Sequence, residues 1–281
     1  MGKLPKIIGT DLDGTLLTSD GKTVSPRTFE ILAKCIENGS FLVPITGRVL
    51  SMVPLDKFPE VRYVISSNGA LITDRKEDRY IRTRYILKED LQKFWEAIEP
   101  IMIEHHLAME IFENGELVVE KSLYENVDDY FDVLPNFHYE KIKSGEAKIV
   151  NSYMEYFEKE GEQVVKINFP GKTCKKAPWI KDVVKEIALL DITSDGLNLE
   201  CGPKGCNKGE ALQWLCDYLN VSKEESVCFG DGNNDLQMLQ AAGYGVAMGN
   251  ALETTKQVAG YTTLSNDEDG IAYFLETHFM K

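Results

Sequence analysis

The chain has 281 residues and no run of 18 apolar ones, so no stretch reads as a membrane-crossing helix. Positive charge is scarce: 31 Lys and Arg against 45 Asp and Glu give a formal net charge of −14. So acidic a surface repels nucleic acid and anionic lipid, and neither nucleic acid nor membrane is expected as a partner. A local basic pocket can override that field, so a small anionic substrate stays open. Histidine is rare (His105, His106, His138, His278), and none of the six cysteines forms a C-x-x-C pair, so no zinc site is expected. No apolar signal segment stands between Met1 and the first strand. The expectation is a cytoplasmic protein with reduced thiols, a monomer or weak homo-oligomer. Neither an internal repeat nor a low-complexity segment is visible. At 43% hydrophobic residues the chain can bury a substantial core, as one large domain or two ordinary ones.

What is present begins with Ile7-Ile8, a β-branched apolar pair that favours a buried strand. It runs into Asp11-Leu12-Asp13-Gly14-Thr15-Leu16, where Gly14 signals a turn. Side chains two apart on an extended segment point the same way, so Asp11 and Asp13 are expected to share one small space beyond the strand. Two adjacent carboxylates repel unless a cation compensates. Mg²⁺ takes oxygen ligands and often bridges a carboxylate to a phosphate. Alone, the segment reads equally well as a plain turn after a strand.

Ser25-Pro26 then opens a helix with a capping hydroxyl and a first-turn proline. A strand over 41–45 leads to Thr46-Gly47-Arg48, with a helix expected next. A strand over 61–65 ends in Ser67-Asn68-Gly69-Ala70, and a small hairpin follows. Strands alternating with helices imply an α/β, doubly wound parallel sheet. From about Leu87 the texture changes: a helix over 88–105, a hairpin about Asn114-Gly115, and an alternating strand over 164–169. A helix over 175–187 and a last hairpin about Asp195-Gly196 complete this stretch. It reads as an inserted α+β domain over 85–197, with 1–84 and 198–281 forming the discontinuous core. In the core's return, helices are expected over 208–219 and 236–242, strands over 226–229 and 245–248, and a last helix over 270–277.

In open parallel sheets, ligands bind beyond the carboxyl ends of the strands. Four polar clusters take that position: Asp11-x-Asp13, Thr46-Gly47-Arg48, Lys208, and Gly230-Asp231-Gly232-Asn233-Asn234-Asp235. Each alone could be loop decoration, but their chemistry is complementary. Asp11, Asp13 and Asp231 offer oxygen ligands for Mg²⁺, Thr46 a hydroxyl and Lys208 a cation, while glycine-containing turns offer amides to an anion. That is a site for a dianionic phosphate beside a metal. Asp11 would attack phosphorus, and Asp13 would protonate the leaving oxygen and then take a proton from water.

These motifs resemble, in order and over nearly the whole chain, the haloacid dehalogenase-like superfamily, in particular its Cof-type members with a type IIB cap. Asp11–Leu16 is similar to the nucleophile motif, and Thr46-Gly47-Arg48 to the second motif, whose Thr binds the transferring phosphoryl group. Gly205-Cys206-Asn207-Lys208-Gly209 resembles the third, with Lys208 as the phosphate-binding lysine and Asn207 where Ser is more usual. Gly230–Asp235 matches the acidic metal motif, Gly249-Asn250-Ala251 fits the pattern, and Ser67–Ala70 resembles a common Cof-type segment. The resemblance implies a Rossmann-like core with a C2B cap that selects the leaving group. It makes Asp11, the Asp13 main-chain carbonyl and Asp231 the metal ligands, puts Asn234 on phosphate and has Asp235 supporting the metal. Arg48, Asn68 and Gly69 become candidate substrate contacts. Cap candidates are Lys143, Lys148, Lys166 and Glu200, although a solvated surface role is the commoner fate of such residues. The implied activity is a Mg²⁺-dependent phosphatase for a small phosphorylated metabolite such as a sugar phosphate. A phosphomutase, a phospho-receiver and a silent ligand-binding protein are the alternatives.

Overall fold

Successive residues of the first strand serve opposite faces of a sheet, and the architecture follows from that. The computed structural model describes residues 3–187, 189–194 and 198–280. The strands are β1 (Ile7–Thr10), β2 (Phe41–Pro44), β3 (Tyr63–Ser66), β4 (Leu71–Asp74), β5 (Arg79–Thr83), β6 (Glu110–Glu113) and β7 (Glu116–Glu120). They continue as β8 (Lys148–Val150), β9 (Val164–Phe169), β10 (Asp191–Ser194), β11 (Leu199–Gly202), β12 (Ser226–Gly230), β13 (Tyr244–Ala247) and β14 (Tyr261–Thr262). Five of them form a sheet in the order β14-β13-β12-β1-β2. Every neighbouring pair in it is parallel. A parallel bridge between Ile45 and Ile65 brings β3 beside the end of β2, and β3-β4-β5 continue as an antiparallel ribbon.

Ile8 joins one core with Ile31 and Leu32 of the helix Pro26–Glu37 and with Ile271 and Phe274 of the helix Gly270–Phe279. Ile7 joins the other with Leu212 and Leu215 of the helix Lys208–Tyr218 and with Met238 and Leu239 of the helix Leu236–Ala241. Helices on both faces leave β1 and β12 buried at every residue, which suits the apolar side chains of Ile7, Ile8, Val227, Cys228 and Phe229. Ser25 caps its helix as expected, accepting from the Thr28 amide at 3.1 Å. The helix expected after Arg48 does not form. Two short 3-10 turns, Leu50–Met52 and Leu55–Lys57, stand there instead. Pro54 lies between them; it has no amide and biases Val53 to extended backbone, observed at ψ 126°.

By its contacts the chain divides into two compact units, one running through Thr83 and resuming at Cys206, the other being Arg84–Gly205. The second unit has a six-stranded sheet in the order β10-β11-β9-β6-β7-β8, antiparallel except for β7 with β8. One face of it packs on the helices Lys88–Glu104, Tyr153–Lys159 and Ile180–Ile187 through Phe94, Ile98, Phe157, Ile167 and Phe169. The helix expected over 175–187 is two, Gly171–Lys176 and Ile180–Ile187, because Pro178 interrupts it. β9, expected to alternate, is buried at all six residues because it lies centrally in the sheet. The return to the core expected at 198 is also corrected. β11 pairs with β9 and β10, so its backbone hydrogen bonds place it in the second unit's sheet. The expected turn at Asp195-Gly196 lies outside the described residues. The helix Glu253–Val258 and the two-residue β14 were not expected. Among the described residues, no helix is long and apolar enough to cross a membrane.

Candidate active site

β1 stops at Thr10, but the Asp11 amide still donates to the Phe229 carbonyl at 3.0 Å. Asp11 thus sits at the carboxyl end of the sheet, level with the end of β12 and the Gly230–Asp235 segment. The chain then turns sharply. Gly14 has φ 73°, and a Cβ there would lie 2.4 Å from Asp231 Oδ2, so both conformation and space require glycine. The turn lets the Thr15 hydroxyl donate to Asp231 Oδ1 at 2.8 Å, and the Asn250 amide donates to the Gly14 carbonyl at 2.8 Å. From the other side comes the first residue of the helix Lys208–Tyr218. Asn207 caps that helix, its side-chain oxygen accepting from the Glu210 amide at 2.9 Å. Lys208 is wholly buried, with Nζ 2.9 Å from Asp11 Oδ1 and 2.6 Å from Asp235 Oδ1. The other Asp235 oxygen accepts the Asp231 and Gly232 amides at 2.9 Å each. Asp235 therefore holds both the lysine and the loop that carries Asp231.

Oxygen atoms of Asp11, Asp231 and Asp235 all lie within 4.8 Å of one another. Burial pushes Asp11 up to about 8, against the pull of Lys208 and with added repulsion from Asp235 and Asp231. Burial, then Asp235, pushes Asp231 up to about 6. For Lys208 burial works against the charge, but Asp11 and Asp235 outweigh it and hold the ammonium above its ordinary value. Three clustered carboxylates with one ammonium, which pairs with two of them, are short of positive charge. The deficit and the all-oxygen donor set fit a hard divalent cation.

The four clusters read from the sequence do not all converge through their side chains. The expectation that Asp11 and Asp13 share one space is corrected. The Asp13 carboxylate turns away and is 56% exposed. It takes Arg48 Nε at 2.8 Å and Arg48 Nη2 as a forked pair, and Nη1 of the same guanidinium donates to the Met52 carbonyl at 3.1 Å. Strand geometry ends at Asp11, so the two-residue rule fails one step later. Thr46 is buried, its hydroxyl accepting the Arg48 amide at 3.1 Å across Gly47 and its carbonyl accepting the Asn68 amide at 3.0 Å. The Asn234 amide donates to Asn68 Oδ1 at 3.2 Å. In the second unit each cap candidate is held by an ion pair. Lys166 meets Glu200 at 2.8 Å, Lys148 meets Glu113 at 2.7 Å, and Lys143 meets Asp128 at 2.8 Å. Sequence reasoning missed the part played by Thr15. The Asp-Gly-Thr run was its only signal, and the bond reaches a residue 216 positions away.

Comparison with known proteins identifies the family and the fold. Residues 8–275 match the family model described as haloacid dehalogenase-like hydrolase. Phosphatase YwpJ of Bacillus subtilis (strain 168) is 33% identical over 287 residues, covering 96% of this chain and 99% of that one. The 5-amino-6-(5-phospho-D-ribitylamino)uracil phosphatase YitU of the same organism is 29% identical over 282 residues, 98% of each chain. Among solved structures, TM0651 from Thermotoga maritima superposes with a TM-score of 0.77 at 26% identity, over 98% of this chain and 97% of that one.

Proposed function

The chain belongs to the haloacid dehalogenase-like hydrolase family, and on that premise we propose that it is a cytoplasmic, Mg²⁺-dependent phosphatase acting on a small phosphorylated metabolite through an aspartyl-phosphate. The observation that carries this reading is the buried Asp11–Lys208–Asp235 contact with Asp231 beside it. Asp11, the Asp13 main-chain carbonyl and Asp231 would hold the ion, with Asp235 fixing the Asp231 loop. When bound, Mg²⁺ supplies positive charge that draws the phosphoryl group onto an otherwise repelling carboxylate.

The chain's own residues carry the steps. Lys208 orients the Asp11 carboxylate and offsets charge on the incoming dianion. An Asp11 oxygen bonds to phosphorus as the bond from phosphorus to the leaving oxygen breaks. The Asp13 carboxyl, released from Arg48, gives that oxygen its proton. Water then attacks the phosphoaspartate, Asp13 takes the water proton, and inorganic phosphate leaves with Asp11 restored. Thr46, Gly47, Lys208 and Asn234 surround the phosphoryl oxygens, while Arg48 and Gly69 border them. The second unit is the cap that selects the leaving group. The name of YitU, a phosphatase for a phosphorylated ribitylaminouracil, supports a small-metabolite substrate class. The buried thiols of Cys35, Cys201, Cys216 and Cys228 support a reducing compartment.

Phosphate release from p-nitrophenyl phosphate, followed by a panel of phosphorylated metabolites ranked by kcat/KM, tests the reading. Activity should require a divalent cation and vanish in Asp11→Asn. Full activity in that variant would refute the nucleophile assignment.

A further inference from the structure

Beside the carboxylate cluster the chain makes a bend that no periodicity in the sequence explains. Ser67, Asn68 and Gly69 have φ of 50°, 53° and 101°, three successive residues on the left-handed side. Apart from glycine and asparagine, few residues are at ease there, and such conformations persist where the surroundings impose them, commonly at functional sites. The Ser67 hydroxyl is buried without a hydrogen-bond partner among the described residues, so its side chain does not shape the bend.

What the bend does is reach three separate segments. The Ser67 amide donates to the Arg48 carbonyl at 3.0 Å, and the Asn68 amide to the Thr46 carbonyl at 3.0 Å. Gly69 lies against the Asn207 carbonyl, and a Cβ there would approach that oxygen to 2.5 Å. That carbonyl accepts the Ala211 amide in the first turn of the helix that begins at Lys208. Finally, Asn68 Oδ1 accepts the Asn234 side-chain amide at 3.2 Å. The loops after β2 and β12 and the start of the lysine helix thus share one support.

We propose that Asn68 is a positioning residue whose left-handed backbone aims its carboxamide at Asn234 and fixes where the Asn234 amide stands. Asn68 then acts on the phosphoryl group through Asn234 rather than by touching the substrate. This rests on the phosphatase reading, in which Asn234 contacts phosphate. The left-handed backbone is the reason for asparagine: with glycine it tolerates that region best, and glycine has no oxygen to offer.

A double-mutant cycle tests it. Asn68→Gly accepts the backbone conformation and keeps the amide bond to Thr46, removing only the carboxamide. Asn234→Ala removes its partner. The readouts are kcat/KM for p-nitrophenyl phosphate and the affinity for inorganic phosphate, both taken well below the lowest melting temperature of the set. Loss of one hydrogen bond predicts that Asn68→Gly weakens both by between roughly threefold and tenfold. In the Asn234→Ala background the same change should have no further effect. Multiplying losses would overturn the proposal, since Asn68 would then act on the substrate by itself. So would an Asn68→Gly chain that matches wild type while Asn234→Ala does not. If the wild-type chain hydrolyses no phosphomonoester, the phosphatase reading fails, and phosphate affinity alone decides the coupling. No phosphate binding at all would overturn both.

Discussion

Lys208 is buried and stays charged because two carboxylates face it, and the same arithmetic leaves Asp11 under-compensated. That has a thermodynamic consequence. Asp11 has an ordinary value of 3.8 and rises to about 8 in the fold, so the folded chain keeps a proton that the unfolded chain releases. Its contribution to stability is therefore full below about 4 and is lost as pH rises through about 8. Asp231 adds the same trend, up to about 6. Without metal, the melting temperature should fall more steeply between about pH 6 and 8 in wild type than in Asp11→Asn, which carries no such charge. Mg²⁺ should raise the wild-type melting temperature more at pH 8 than at pH 6, because it binds the ionised form. Parallel melting profiles for the two chains would contradict this. Asp13 is governed differently, since its side chain stands outside the acidic cluster. Asp13→Ala should still bind Mg²⁺ but lose turnover by roughly 10²–10⁴-fold, the usual worth of a general acid–base. Calorimetric titration of Mg²⁺ beside steady-state kinetics checks it, and lost metal binding would refute the division of roles. The residue types at the site were legible in the sequence, but the direction of Asp13 was not. It depends on the chain leaving strand geometry after Asp11 and on Arg48, 35 positions away.

At the scale of elements, the site depends on where one helix starts. Asn207 caps the helix whose first residue is Lys208. Asn207→Ala should cost about 1 kcal/mol, a drop of about 2–4 °C in melting temperature, whereas Asn207→Ser should stay near wild type. The distinguishing result is kinetic. Asn207→Ala should also lower kcat/KM, because fraying moves Lys208. Ser25→Ala, which removes the cap of the helix Pro26–Glu37, should lower the melting temperature and leave kcat/KM unchanged. Equal kinetic effects from the two would show that the cap acts only through global stability. Caps and turns of this kind were legible at Ser25 and Asn114-Gly115, which announce themselves by residue type, whereas Asn207 was read only as a motif position and its capping role emerged from the fold. Helix continuity over 175–187 failed because its apolar periodicity runs across Pro178, where the backbone cannot follow.

Over the whole molecule, the doubly wound core was readable because Ile7-Ile8 and Val227-Cys228-Phe229 alternate between two faces that are both covered. The end of the insert was not readable. The hairpin about Asp195-Gly196 was placed in the insert, but the boundary drawn at 197 cut off its second strand, Leu199–Gly202, which pairs with both β10 and β9. β14 was missed because two exposed residues carry no pattern. Close packing of both cores also governs the thiols. Burial pushes Cys35 and Cys216 up to about 11, and Cys201 and Cys228 higher still. These four should resist alkylation at neutral pH in the folded chain and react at once in denaturant, which peptide mapping reads directly. Rapid labelling of the folded chain would contradict that packing.

As nucleophile, Asp11 should be covalently phosphorylated during turnover. Acid quenching of the enzyme during steady-state hydrolysis, followed by peptide mass spectrometry, tests it most directly. One added phosphoryl group is expected on the peptide containing Asp11, localised to Asp11 and absent in Asp11→Asn. An active enzyme that yields no phosphopeptide, or one phosphorylated at Asp13 or Asp231 instead, would contradict it.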